Sequence, residues 1–196
     1  MALAAFVVFG GVSSAAAEPD KTPAPAAGEK AAKPRDHGRD IQFLLGALKA
    51  APDDESAKIV EQRIMALWLV SGSDTADLLM ARSKAAIDGQ DFDLALRLLD
   101  AIVELRPDFA EAWNRRATVH FLKKDYGRAL LDLQQVLARE PRHFGALAGL
   151  GMILQEFGED KRALEIFRRA LDVNPHLARI PELVKSLSEK VDGRDI

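Results

Sequence analysis

The sequence predicts an all-α protein built from a tandem repeat of helical pairs. Three observations carry that prediction. First, the 196 residues are 48 % hydrophobic and 29 % charged but only 6 % aromatic. Leu, Ala, Glu, Arg and Lys dominate, which are good helix formers. Second, four columns recur with a spacing of 34 residues: Pro107, Pro141 and Pro175; Ala95, Ala129 and Ala163; Leu99, Leu133 and Phe167; Ile102, Val136 and Ala170. A fixed period of this length marks an array of supersecondary units. Third, apolar and small residues fall at i, i+4 and i+7 inside each unit, as in Trp113, Ala117 and His120, or Leu147, Gly151 and Leu154. That spacing lays them on one helical face.

The elements follow in order. Residues 2–12 form a short apolar run, and Ala15-Ala16-Ala17 precedes Glu18. This pattern is expected to be a signal peptide over residues 1–17, cleaved after Ala17. The run is shorter than the roughly 20 apolar residues a membrane-spanning helix needs, so no stable membrane span is expected in the mature chain. No Lys or Arg precedes it, so either the start lies upstream or the amino group supplies the only positive charge. Residues 18–40, rich in Ala, Lys and Pro, offer too little apolar surface to offset the entropy of ordering. They are expected to be a linker.

Residues 41–73 predict a degenerate helical pair, Ile41–Ala50 and Asp54–Val70, with Pro52 between. Ser73 is placed to cap the next helix. Three repeat units then occupy 74–177, at about 76–109, 110–143 and 144–177. Small residues at Ser83, Ala117 and Gly151 and at the Ala95 column let paired helices approach. Trp113, Leu133 and Phe167 are expected to fill the space between them. Each second helix stops before a proline that cannot continue it. Asp91, Asp125 and Asp160 stand at helix starts, where a carboxylate suits the dipole. Residues 178–196 carry a capping helix and tail, with Ile180, Leu183, Val184, Leu187 and Val191 on one face. Pro181 sits in its first turn.

Trp113, Ala117, Asp125-Tyr126, Ala129, Leu133 and Pro141 closely resemble the tetratricopeptide repeat (TPR) motif. The third unit matches through Leu147, Leu150-Gly151, Gly158, Ala163, Phe167, Ala170 and Pro175, and the first unit more loosely. The resemblance implies a right-handed α-solenoid of helix–turn–helix units with a C-terminal capping helix. It also implies a concave face lined by the first helix of each unit and used to hold a protein segment. By repeat register that groove presents Met80, Lys84 and Ile87, then Asn114, Thr118 and Phe121, then Met152 and Gln155. Met80, Ile87, Phe121 and Met152 are apolar at positions the repeat core does not require. The flanking helices could instead fold over and bury them. TPR domains that grip a C-terminal carboxylate use a Lys/Asn/Arg clamp. Here Met80 and Lys84 occupy its first two positions, so that pattern is broken, with Lys84 and Arg115 left as anion contacts.

Other chemistry is disfavoured. A net charge of −3 with mixed signs lacks the basic stripe that nucleic acid demands. The absence of cysteine removes thiolate and sulfur-ligand chemistry. His37, His120, His143 and His176 show no metal-binding spacing. His120 falls in a column where TPR proteins place an aromatic residue. Gly149-Leu150-Gly151 follows no strand and lacks a third glycine, which argues against a dinucleotide loop. No catalytic residues, metal or cofactor are expected. The layout resembles small exported TPR proteins of Gram-negative bacteria, giving a periplasmic or secreted scaffold that binds a protein partner. The alternatives are a cytoplasmic TPR adaptor or chaperone and, third, an accessory subunit of an enzyme.

Overall fold

The structure is a computed structural model that describes residues 37–193. The expected signal peptide, the linker up to residue 36 and the last three residues of the tail lie outside the described residues.

Among the described residues nine helices follow one another with no strand: α1 (His37–Lys49), α2 (Asp54–Trp68), α3 (Asp74–Asp88), α4 (Phe92–Leu105), α5 (Ala110–Leu122), α6 (Tyr126–Arg139), α7 (Phe144–Glu156), α8 (Asp160–Val173) and α9 (Ile180–Asp192). The all-α solenoid is therefore present, as α3/α4, α5/α6 and α7/α8 pairs closed by α9. Helix α1 begins at His37, four residues ahead of the expected Ile41 and inside the segment assigned to the linker.

The helix starts are chemically explicit. Asp53 accepts from the Ser56 amide at 2.8 Å, Asp91 from that of Leu94 at 3.0 Å, and Asp125 from that of Arg128 at 3.2 Å. Ser73 caps α3 through the Ala76 amide. Each satisfies a donor that the first turn leaves open. The turns inside units share one geometry. The amides of Asp91, Asp125 and Glu159 donate to the carbonyls of Ala86, His120 and Leu154, closing each first helix in the Schellman manner. The residue before each acid is left-handed: Gln90 at φ 59°, Lys124 at φ 60° and Gly158 at φ 73°.

The repeat columns form the core. Ala95, Ala129 and Ala163 are fully buried, with Leu99, Leu133 and Phe167 packed beside them. Trp113 departs from expectation. It is only partly buried, its indole N–H donates to Pro107 O at 3.0 Å, and the guanidinium carbons of Arg116 and Arg139 lie 4.8 Å and 5.3 Å from its ring centroid. The physical cause is Arg116 on the same face. Its guanidinium reaches Asp132 at 2.7 Å and Asp100 at 2.8 Å, so the ring is drawn into a polar network at the rim.

Helices α1 and α2 dock on the third unit. Their core of Leu45, Leu48, Ala57, Ile64 and Trp68 takes in Phe144 and reaches Val173 and Leu177. Trp68 stacks on His143 at 4.1 Å. Asn174 Nδ2 donates to Glu61 at 3.1 Å, and His176 Nδ1 lies 2.7 Å from an Asp54 oxygen. At the C-terminus α9 buries Ile180, Leu187 and Val191 against α8 of the same unit, and Lys190 Nζ meets the buried Asp160 at 2.8 Å.

Candidate partner-binding groove

The first helices α5 and α7 lie side by side, and small residues keep a cavity of about 210 Å³ open between them. Ala117, Gly145, Ala148 and Gly149 give it a low floor, Leu133 and Ile153 close it beneath, and Asn114, Thr118, Phe121 and Met152 form its rim. Four of the eight residues expected in the groove thus converge on one site. No ionisable side chain lines it. Thr118 is exposed and donates to Asn114 O at 3.0 Å, while Asn114 Nδ2 donates to Glu111 at 3.0 Å. Phe121 begins an aromatic row: its ring is 5.6 Å from Tyr126, which meets the exposed Phe157 edge-on at 5.7 Å.

The remaining expected residues are placed differently. Lys84 is exposed and pairs with Asp88 at 2.5 Å. With Arg115, Asp77 and Leu69 it lines a separate cavity of about 240 Å³ between α3 and α5. Met80 also borders that cavity but is only 4 % exposed, which corrects its reading as a free groove anchor. Its side chain lies in the first unit's core, with Leu69 packed in the same cluster and the Ser83 hydroxyl 3.7 Å from its sulfur. Ile87 is corrected likewise: it is half-buried against that core. Gln155 is half-buried and lines neither cavity. The N-terminal pair covers Phe144 and His143 without filling the α5–α7 cavity.

A further cavity, of about 570 Å³, opens between α4 and α6 above α5. Trp113, Arg116, His120 and Asp132 line it. The side-chain hydrogen bonds that Arg116 donates to Asp132 raise its guanidinium further above its already high value. Burial pushes the His120 imidazole below its ordinary value, against the pull of Asp132 and Asp125. These charges satisfy one another and make a structural network. Among the described residues no group of His, Asp or Glu is arranged to hold a metal ion.

Two family models, each described as a tetratricopeptide repeat, match residues 80–135 and 120–186. A TPR repeat-containing protein of Rhizobium etli is 40 % identical over 153 residues, covering 78 % of this chain and 75 % of the relative. The chain belongs to the tetratricopeptide repeat family. Among solved structures, this TPR chain is similar to MamA, with a TM-score of 0.55 at 21 % identity, covering 82 % of this chain and 81 % of that one. It is also similar to the first TPR of Spaghetti (RPAP3), described as bound to the HSP90 peptide SRMEEVD. There the TM-score is 0.58 at 17 % identity, covering 61 % of this chain and 95 % of that one. Both likenesses concern the fold.

The TPR register did not reveal the cluster around His143. That residue is 1 % exposed; its Nδ1 accepts from the Ala146 amide at 3.1 Å and caps α7. Its Nε2 therefore carries the proton and donates to Glu111 at 3.2 Å. Glu111 is itself 3 % exposed and is held by Arg115 at 3.2 Å as well. A histidine at the last position of a unit is the only trace of this in the sequence, and its function depends on Trp68, 75 residues upstream in the numbering.

Proposed function

We propose that this chain is a protein-interaction module that captures a segment of a partner protein on the face formed by its first helices. One observation carries the reading: Asn114, Thr118, Phe121 and Met152, on two different helices, surround a single uncharged cavity. Apolar anchors ringed by neutral polar groups are the usual centre of a productive interface. Membership of a repeat family with solved TPR domains bound to peptides supports the same reading. Lys84 and Arg115 at the neighbouring cavity supply cationic contacts at one end of the groove. A catalytic role has no support in the arrangement of the titratable groups, which pair with one another structurally.

The test is site-specific. A photo-cross-linking residue at Thr118 should trap a partner protein in cells, and the same residue at exposed Glu165 on α8 should not. Changing Phe121 to Ser and Met152 to Gln together should abolish trapping while leaving the helical circular dichroism and Tm near wild type. Equal trapping from both positions, or a double variant that still captures the partner, overturns the groove assignment.

The cellular setting belongs to the same proposal. The apolar run and Ala15-Ala16-Ala17 suit an exported protein of the bacterial envelope, and among the described residues no helix is long and apolar enough to cross a membrane. N-terminal sequencing of the protein from a periplasmic extract should begin at Glu18. An intact Met1, or protein confined to the cytoplasm, favours the cytoplasmic adaptor.

A further inference from the structure

Helix α7 carries Gly145, Gly149 and Gly151, and packing requires only one of them. A methyl group on Gly151 would stand 2.5 Å from Phe167 Cε1, so no larger residue fits there. A methyl group on Gly149 would meet Leu133 Cδ2 at 3.7 Å and Cδ1 at 3.8 Å, ordinary contact. Gly149 lies mid-helix without a left-handed φ. Inside a helix glycine is the poorest choice apart from proline. Its bare backbone therefore lowers stability with nothing gained in packing. What it does is leave the α5–α7 cavity open.

We propose that this cavity is a specificity pocket for one large apolar side chain, leucine, methionine or phenylalanine, presented by an extended uncharged stretch of the partner. The inference rests on the groove reading above and names the chemistry of its ligand. At about 210 Å³ the cavity is smaller than the ~300 Å³ at which small-molecule sites begin, and suits a single side chain. Its walls are Phe121, Leu133, Met152 and Ile153, and the flexible thioether of Met152 can adapt to the shape that enters. A carboxylate or ammonium group would lose its water there and find no opposite charge. At the rim the Asn114 side-chain oxygen Oδ1 is an acceptor, because its side-chain nitrogen Nδ2 is the atom that donates to Glu111. It is placed to take a backbone N–H from an extended segment.

The experiment uses the full chain as bait for a displayed random-peptide library, followed by fluorescence anisotropy with the individual enriched peptides. These peptides should share a Leu, Met or Phe, and replacing that residue with Asp should remove binding. Gly149→Leu fills the pocket and should weaken binding by about tenfold to a hundredfold, with Tm unchanged or raised. Gly149→Ala adds one methyl in open contact and should fall between the two, so it decides the matter if Gly149→Leu proves destabilising. Wild-type binding by both Gly149 variants, or a preference for acidic anchors, overturns the pocket. The groove reading survives that result if Phe121→Ser still removes binding, and both fail if it does not. Two further results assign the pocket another occupant and overturn the proposal. One is a nuclear Overhauser contact, without peptide, between the Met152 methyl and the chain's own residues ahead of His37. The other is self-association lost in Gly149→Leu.

Discussion

Trp113 lies at the rim of the core, with its indole N–H bonded to Pro107 O and two arginines against its ring. A fully buried aromatic costs about 3–5 kcal/mol when cut to alanine. Because this ring keeps solvent contact, Trp113→Ala is expected to cost about 1–3 kcal/mol, read from urea unfolding. A loss at the top of the buried range would show that the ring is enclosed. His120 behaves in the opposite sense from a surface histidine. Burial lowers its pKa from 6.5, so the unfolded chain takes up a proton more readily than the folded one. Stability attributable to His120 is therefore complete above its unfolded pKa and declines as pH falls below about 6.5. The drop in Tm between pH 7.5 and 5.0 should be smaller in His120→Phe than in the wild type. An equal drop would assign the acid sensitivity to other groups.

The three helix pairs use the same turn, yet only one supplies the residue that turn favours. Gln90 and Lys124 adopt the left-handed conformation that Gly158 takes freely, and for a residue with a Cβ this costs about 1–2 kcal/mol. Gly158→Ala is expected to destabilise by about 1 kcal/mol, while Lys124→Gly should be neutral or stabilising in the same chemical denaturation assay. A Gly158→Ala protein as stable as wild type would mean the α7–α8 turn relaxes. The elements themselves were legible in the sequence because each rests on local signals: caps at Ser73, Asp91 and Asp125, prolines at the ends of second helices, and a constant period. The α5–α7 cavity was legible in part, because register alone places Asn114, Thr118, Phe121 and Met152 on one face. Met80 and Ile87 were misplaced because register does not report how deep a side chain sinks, which here depends on the core they share with Leu69, from beyond the end of α2. Trp113 was misjudged because Arg116 and Asp132, 16 residues apart, meet only in the folded pair. The His143–Glu111–Trp68 cluster was invisible for the same reason over longer separations.

Repeat arrays are stabilised by neighbours along the chain, but here α1 and α2 join the third unit to the beginning of the molecule. Trp68 is the centre of that contact, stacked on His143 and packed on Phe144. Trp68→Ala is therefore expected to lower hydrogen-exchange protection in α7 and α8 more than in α3 and α4, with a total loss of about 3–5 kcal/mol. Protection lost mainly from the first unit would show that the pair stabilises its sequence neighbour instead. The same contact sets an order of events during synthesis. Asp54 and His176, which meet across it, are 122 residues apart. Helix α2 ends at Trp68, 108 residues before His176, so a ribosome adding about 5–20 residues per second completes α1 and α2 roughly 5–22 s before the surface they dock on exists. Through that interval Leu45, Leu48, Ile64 and Trp68 have one another but lack Phe144, Val173 and Leu177, and the nascent chain exposes a small apolar face to whatever binds such faces near the exit tunnel. A version with α1 and α2 moved behind α9 by circular permutation would shorten that wait, leaving the finished contacts unchanged.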